Sequence, residues 1–174
     1  AVAQPALGQA VDALPIGGTV VAGTATIGAP APSARLDVTQ SSNRAIIEWN
    51  SFAVGRDAHV AFAQPSASAI ALNRVTGGTA PSQIAGKLTA NGIVAVLNAN
   101  GVLFSGTADV NVGGLIASTG HVDNAAFMAG GNLAITGATG GEIVVSAGAG
   151  ITVADAGLAA FVAPRVRNSG TITA

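Results

Sequence analysis

Two short pairs in this chain carry the residue types of metal chemistry. Asp57 lies two residues before His59, and His121 two residues before Asp123. On a β-strand, residues two apart share a face, so each pair would offer an imidazole and a carboxylate to one cation. Nothing in the spacing joins the pairs, and Asp-x-His also occurs in turns, so no metal is assigned. The eight acids, Asp12, Asp37, Glu48, Asp57, Asp109, Asp123, Glu142 and Asp155, are spread singly. A glycosidase or polysaccharide lyase would gather carboxylates or a base on one face. Gly86-Lys87 lacks the preceding glycine of a phosphate loop and runs into Leu88. No Gly-x-Ser-x-Gly elbow frames Ser105, and Gly148 and Gly150 open no helix that would make them a dinucleotide loop. No catalytic residue and no cofactor is assigned. Trp49 reads as a core residue, and Arg165 and Arg167 as a solvated face of one strand, open to a partner contact.

The elements that would position these residues are strands. From Ser82 to Thr119, short apolar runs (Ile93–Leu97, Val102–Phe104, Leu115–Ala117) alternate with breaks at Asn91-Gly92, Asn100-Gly101 and Gly113-Gly114. Asn and Gly tolerate the positive φ of sharp turns, and runs this short suit strands better than helices. Earlier, Thr19–Ala22 and Thr24–Ile27 read as strands covering one end of the fold. Arg35–Thr39 and Ala45–Phe52, with Ser41-Ser42-Asn43 between them, read as a hairpin whose Leu36, Val38, Ile47 and Trp49 face inward. Val60–Phe62 and Ala69–Leu72 are further strands. His121–Ala129 is the one helical stretch, capped by Asp123 or Asn124 and stopped by Gly130. Strands are then expected at Leu133–Ile135, Ile143–Val145, Ile151–Val153, Leu158–Val162 and Thr171–Thr173. Gly114-Leu115-Ile116-Ala117 returns as Gly157-Leu158-Ala159-Ala160 after forty-three positions, read as two rungs of twenty-odd residues. This predicts an all-β chain: a right-handed, single-stranded parallel β-helix with additional antiparallel β elements capping its N-terminal end.

Composition narrows the class. At 174 residues the chain is one domain; 9% of residues are charged, the formal net charge is −1, and the seven Lys and Arg are scattered, so no basic stripe serves nucleic acid. Although 49% of residues are hydrophobic, no apolar run is long enough to span a bilayer as a helix. Cysteine is absent, which suits a chain that crosses a pore unfolded, because a disulfide formed on the way would trap it. Residues 1–14 read as a flexible lead-in and 15–174 as the folded unit. No basic and apolar signal pattern stands at Ala1, so either a signal peptide has been removed or the sequence starts past it, and the numbering is expected to begin in the mature protein. The end, directly after a strand, reads as a cut through a longer solenoid.

Several blocks in order also resemble a known family. SQIAGKLTANGIVAVLNANGVLF followed by DVNVGGLIAST, with NRAIIEWNSFAVG and QPSASAIALNRVTG upstream and LAAFVAPRVRNSGTITA downstream, resembles the secretion domain of two-partner-secretion exoproteins, also called the filamentous haemagglutinin N-terminal or haemagglutination-activity domain. The resemblance covers Pro15 to Ala174. It implies a secretion-targeting domain of a large adhesin- or haemolysin-type exoprotein, recognised in the periplasm of a Gram-negative bacterium by an outer-membrane TpsB-type transporter with POTRA domains. Such a domain ends secreted or on the cell surface and seeds β-helix folding of the rest of its own exoprotein. The implied molecule is a monomer, with no enzymatic activity, no nucleic-acid partner and no membrane span. The family's Asn-Pro-Asn-Gly turn, linked to secretion competence, matches Asn98-Ala99-Asn100-Gly101, with Ala99 where proline is expected. Proline would pre-set φ at that turn position, and alanine leaves the unfolded chain freer by about 0.4–1 kcal/mol. The turn Asn91-Gly92 is a supporting candidate. The family's Asn-Pro-Asn-Leu motif has no match here. Two rival readings are an adhesive or carbohydrate-binding β-helix module and a polysaccharide-acting enzyme. Ice binding would need regular Thr-x-Thr rows, and only Thr24–Thr26 and Thr171–Thr173 occur.

Overall fold

The structure, a computed structural model, describes residues 8–174. In chain order the strands are β1 (Thr19–Ala22), β2 (Ala25–Ile27), β3 (Arg35–Gln40), β4 (Arg44–Trp49), β5 (His59–Ala63), β6 (Ile70–Val75), β7 (Ser82–Ile84), β8 (Lys87–Ala90), β9 (Ile93–Leu97), β10 (Val102–Phe104), β11 (Asp109–Val112) and β12 (Gly114–Ser118). Helix α1 (Asn124–Met128) follows, and then β13 (Ile143–Val145), β14 (Gly150–Val153), β15 (Ala159–Val162), β16 (Val166–Asn168) and β17 (Thr171–Thr173). They stack into three sheets, ordered β1-β4-β6-β9-β12-β15, β16-β13-β10-β7 and β17-β14-β11-β8-β5-β3-β2. Successive circuits lay a strand on each sheet, except that the circuit of β3 and β4 meets the short sheet only through the lone Val54–Ile84 bridge, so the molecule is a β-solenoid. All its strand pairs are parallel except β1 on β4 and β2 on β3, which close the N-terminal end antiparallel as expected.

The core is built by columns of inward side chains in register. On the seven-stranded sheet Leu36, Val60, Leu88, Val110 and Ile151 stack one above another, all at most 2% exposed. Val102 and Phe104 face them from the short sheet, and Phe104 meets Phe161 edge to face at 6.2 Å. Trp49 lies in this core and packs edge to face on Phe52 at 5.7 Å, while its indole N–H donates to Asn73 Oδ1 at 3.0 Å. A buried asparagine is tolerated because it is fully bonded: its amide also donates to Ala71 O and Ala95 O.

The six-stranded sheet has a second buried face, which explains its unbroken apolar runs. Outward Ile46, Leu72, Ala95 and Ile116 form another cluster with Val122 and Phe127. Covering it is the segment that contains α1. Asp123 caps that helix, its Oδ1 accepting from Ala126 N at 2.8 Å, and Gly130 follows its end. Arg44 holds the helix down, donating to Phe127 O at 2.6 Å and Gly131 O at 3.1 Å with its guanidinium 5.1 Å from the Phe127 ring centroid.

Three expectations are corrected. The stretch Arg35–Phe52 is not a hairpin: β3 pairs in parallel with β5 and β4 in parallel with β6, in different sheets. Ser41-Ser42-Asn43 is a solenoid corner, anchored by buried Gln40, whose amide donates to Ser42 O and Ile70 O. Alternation fixes which side chains point inward, which is as expected, but is the same for either partner. The repeat of Gly114–Ala117 marks one circuit and not two. Leu115 pairs directly with Ala159, 44 positions on, because the α1 segment is inserted into that circuit, whereas Ile70 pairs with Ile93 and Leu115 with Val94 at ordinary spacings. Finally, Leu133–Ile135 forms no strand; both residues pack as loop side chains on the second cluster, and the neighbouring Thr136 makes a lone bridge to His121.

Part of the 1–14 lead-in, residues 1–7, lies outside the described residues. Beyond it, Gln9 donates to Gln83 O, Gly55 N to Ala13 O and Asp57 N to Val11 O.

Candidate recognition site

The Asn98–Gly101 turn joins β9 on the six-stranded sheet to β10 on the short sheet. Its first and last residues are fastened into the solenoid. Asn98 is 2% exposed; its amide donates to Ala80 O and Ser82 Oγ at 3.1 Å each, and its Oδ1 accepts from Asn100 N at 2.9 Å. Its backbone N–H donates to Ser118 O, and Gly101 N closes the turn on Asn98 O at 3.0 Å. This side chain mimics one strand of a turn while bonding to the circuit before it. Gly101 has φ +119°, and a Cβ there would lie 2.7 Å from Glu142 O, so any other residue is both strained and obstructed.

The middle of the turn differs. Ala99 and Asn100 are exposed, and the Asn100 side chain makes one long bond, 3.5 Å to Gly78 O. The motif therefore divides into a buried frame, Asn98 and Gly101, and a presented tip, Ala99 and Asn100.

Asn91-Gly92 is a corner of another kind. Asn91 Oδ1 accepts from Gln64 N, and its amide donates to Gln64 O, both at 2.7 Å. Gly92 N donates to Gln64 Oε1 at 3.0 Å. Gln64 in turn donates to Gln40 Oε1, Ala69 O and Ile93 O. Gln40, Gln64 and Asn91 thus form a polar spine down one corner of three successive circuits, which stitches the stack together. Sequence reasoning passed over both glutamines; their place at the end of a strand, just before Ser41 and Pro65, was the available signal.

The Asp-x-His pairs do other work. His59 Nδ1 lies 2.9 Å from Arg35 Nη1 and its Nε2 2.8 Å from Thr89 Oγ1. Partial burial, followed by the nearby Arg35 and Lys87 charges, lowers its pKa below the ordinary histidine value. Asp37 is held below the usual carboxylate range by its hydrogen bonds to Arg35. Asp57 pairs with Arg56 at 3.4 Å, His121 bridges Thr136 through its backbone, and Asp123 caps α1. Among the described residues no three His, Asp or Glu side chains converge as metal ligands. Arg167 pairs with Glu142 at 2.8 Å, while Arg165 stands beside the Asn98–Gly101 turn, lining a cleft with Asn100. No helix among the described residues is long and apolar enough to cross a membrane.

Comparison with known proteins gives one consistent answer. A family model described as the TPS secretion domain matches residues 18–174. A heme/hemopexin-binding protein of Haemophilus influenzae strain Rd is 43% identical over 119 residues, 68% of this chain and 13% of that protein. A second Haemophilus influenzae heme/hemopexin-binding protein is 49% identical over 85 residues, 49% of this chain and 9% of that protein. The chain therefore matches only a minor part of the length of these relatives. The crystal structure of the HMW1 secretion domain from Haemophilus influenzae is similar with a TM-score of 0.77 and 29% identity, covering 91% of this chain and 41% of that one.

Proposed function

The chain belongs to the TPS secretion domain family, and from that premise we propose that an outer-membrane TpsB-type transporter, through its periplasmic POTRA domains, recognises it at the exposed tip of the Asn98–Gly101 turn. The domain is a secretion-targeting domain of an exoprotein. The observation that supports this use of the turn is its division of labour: Asn98 and Gly101 are committed to the fold, while Ala99 and Asn100 are presented to solvent with almost no internal bonding. Exposed polar tips on a rigid frame suit recognition better than stability.

On this reading the turn, closed by its own local bonds from Asn100 N to Asn98 Oδ1 and from Gly101 N to Asn98 O, is read on a partly folded chain in the periplasm of a Gram-negative cell; the exoprotein then passes through the outer membrane, and the domain completes its fold outside, secreted or on the surface. Its parallel sheets end in open strands, β15, β16 and β17, on which a following circuit can pair. The role includes no chemical reaction. Heme or hemopexin binding, which the relatives' names state, is not carried over to this chain, which matches 13% and 9% of their length.

The test is secretion of the signal-peptide-bearing chain with and without its cognate transporter. Asn100→Ala is the informative variant, because it removes one long hydrogen bond and should leave the melting temperature unchanged. Transporter-dependent appearance in the medium that falls several-fold with Asn100→Ala supports the reading; equal secretion in both cells sinks it. Gly101→Val cannot serve, since the glycine's φ and its approach to Glu142 O make that variant a folding defect.

A further inference from the structure

The sequence holds two Asn-Gly pairs in nearly the same local setting, Ala90-Asn91-Gly92-Ile93 and Ala99-Asn100-Gly101-Val102. Asn-Gly is the dipeptide most prone to spontaneous deamidation, because a glycine nitrogen, unhindered by a side chain, can reach the asparagine Cγ. With alanine before and a β-branched residue after in both cases, the intrinsic chemistry of the two sites is the same. Only the fold can separate them. Both asparagines are exposed and both glycines buried, so water reaches either side chain. Both glycine N–H groups also donate, Gly92 N to Gln64 Oε1 and Gly101 N to Asn98 O, each at 3.0 Å. Neither ring can close until its site opens locally.

What must open differs. At Asn91 the carboxamide is pinned at both ends, Oδ1 accepting from Gln64 N and Nδ2 donating to Gln64 O at 2.7 Å each. The acceptor of Gly92 N is itself fixed, since the Gln64 amide donates to Gln40 Oε1, Ala69 O and Ile93 O. Freeing that site means parting it from the preceding circuit. At Asn100 the carboxamide donates one bond, 3.5 Å to Gly78 O, and the partner of Gly101 N, Asn98 O, belongs to the turn itself. Opening of that single turn frees the nitrogen while the strands on either side stay paired. An opening so confined draws on few bonds and little buried surface.

We propose that Asn100 is this chain's site of deamidation, so that the tip of the turn carries a carboxamide when newly made and a carboxylate with age. Gly101 N attacks Asn100 Cγ; the N–Cγ bond forms, the Cγ–Nδ2 bond breaks, and ammonia leaves with the proton that Gly101 N gives up. Water then opens the succinimide. Cleavage at Cγ yields aspartate, and cleavage at the main-chain carbonyl of residue 100 yields isoaspartate, whose backbone runs through Cβ and Cγ. The sequence of steps consumes one water and releases one ammonia. Aspartate there adds a second carboxylate to the cleft that Asn100 lines with Glu142 and Arg165. The modification goes beyond the targeting reading and does not depend on it, since it proceeds in the folded domain after export. On the targeting reading the amide is needed only until the transporter has been passed.

The experiment incubates the folded chain at mildly alkaline pH, which speeds loss of the amide proton, and follows both Asn-Gly pairs by peptide mapping with mass spectrometry. A parallel sample in denaturing urea gives the rates without the fold. In urea the two sites should convert within about twofold of each other, whereas in the folded chain Asn100 should convert at least about tenfold faster than Asn91, the scale of one or two further hydrogen bonds that must open. Incubation in heavy-oxygen water should place one heavy oxygen on the converted residue, the mark of succinimide hydrolysis. Equal rates at the two sites in the folded chain, faster conversion at Asn91, or no conversion at Asn100 over a period in which the urea sample converts fully overturns the proposal. Export is measured separately with Asn100→Asp, the aged tip made in advance, checked for an unchanged thermal melt. Secretion lowered several-fold means that the transporter accepts only the unaged tip. Secretion equal to wild type removes the amide from the targeting reading and leaves the deamidation site standing.

Discussion

At the scale of single residues, the buried polar groups of this solenoid are nearly all bonded, and the exceptions are informative. Thr119 is 3% exposed and its hydroxyl has no partner among the described residues. Removing an unsatisfied buried hydroxyl while keeping its shape relieves a desolvation cost, so Thr119→Val should stabilise the domain by about 1 kcal/mol, read as a higher urea midpoint with an unchanged slope. His59 makes the opposite point about a satisfied group. Arg35 can only donate, so His59 Nδ1 accepts and Nε2 carries the proton toward Thr89. Its folded pKa lies below the unfolded 6.5; the neutral form is the one the fold favours. The associated stability is therefore intact above about pH 6.5 and is lost as pH falls from there through the lower folded value. Urea midpoints at neutral and mildly acidic pH should show that decline, and His59→Gln should flatten it; an identical slope in the variant would assign the decline to other groups.

At the scale of elements, the inserted segment around α1 is the part that departs from simple stacking. Phe127 is 1% exposed and anchors the segment on Ile46, Leu72 and Ile116. Phe127→Ala should cost about 3–5 kcal/mol if the whole fold depends on it. If the segment opens locally instead, limited proteolysis should cut near Gly130-Gly131 before the global melt. Which residues point inward was legible from period-2 alternation, as in Leu36 and Val38, and so was the helix, because Asp123 and Gly130 punctuate it. Partner choice was not. The alternation of Arg35–Gln40 is identical in a hairpin and in a solenoid rung, and only long-range pairing with β5 decides. The insertion was hidden for a related reason: a repeat of forty-odd residues looks like two ordinary rungs unless one knows that Leu115 sits on Ala159. The turn motif was legible as a motif, yet its division into frame and tip was not, since Ser82, Ala80 and Ser118 reach Asn98 only through stacking.

At the scale of the whole molecule, a chain with no cysteine has no covalent loop to block its passage through a pore. Asn111→Cys/Thr152→Cys places two thiols on paired positions of β11 and β14, within the reach of a disulfide. Oxidised in the periplasm, this variant should accumulate there, and reductant should restore export; undiminished export of the oxidised form would show that the pore passes a closed loop. The same architecture sets a rhythm for folding as the chain emerges. Ordinary rungs dock on their predecessors after about twenty further residues, whereas β15 docks on β12 only after 44, from Leu115 to Ala159. Doubling a closing loop adds only about 0.6 kcal/mol of entropy, so the thermodynamic toll is slight. The delay is longer: between Ser118 and Ile143 the released chain carries no strand to add to the stack, and Ile116 stays uncovered until the α1 segment returns to it. A ratchet that pulls by folding would slip most readily at that one tooth.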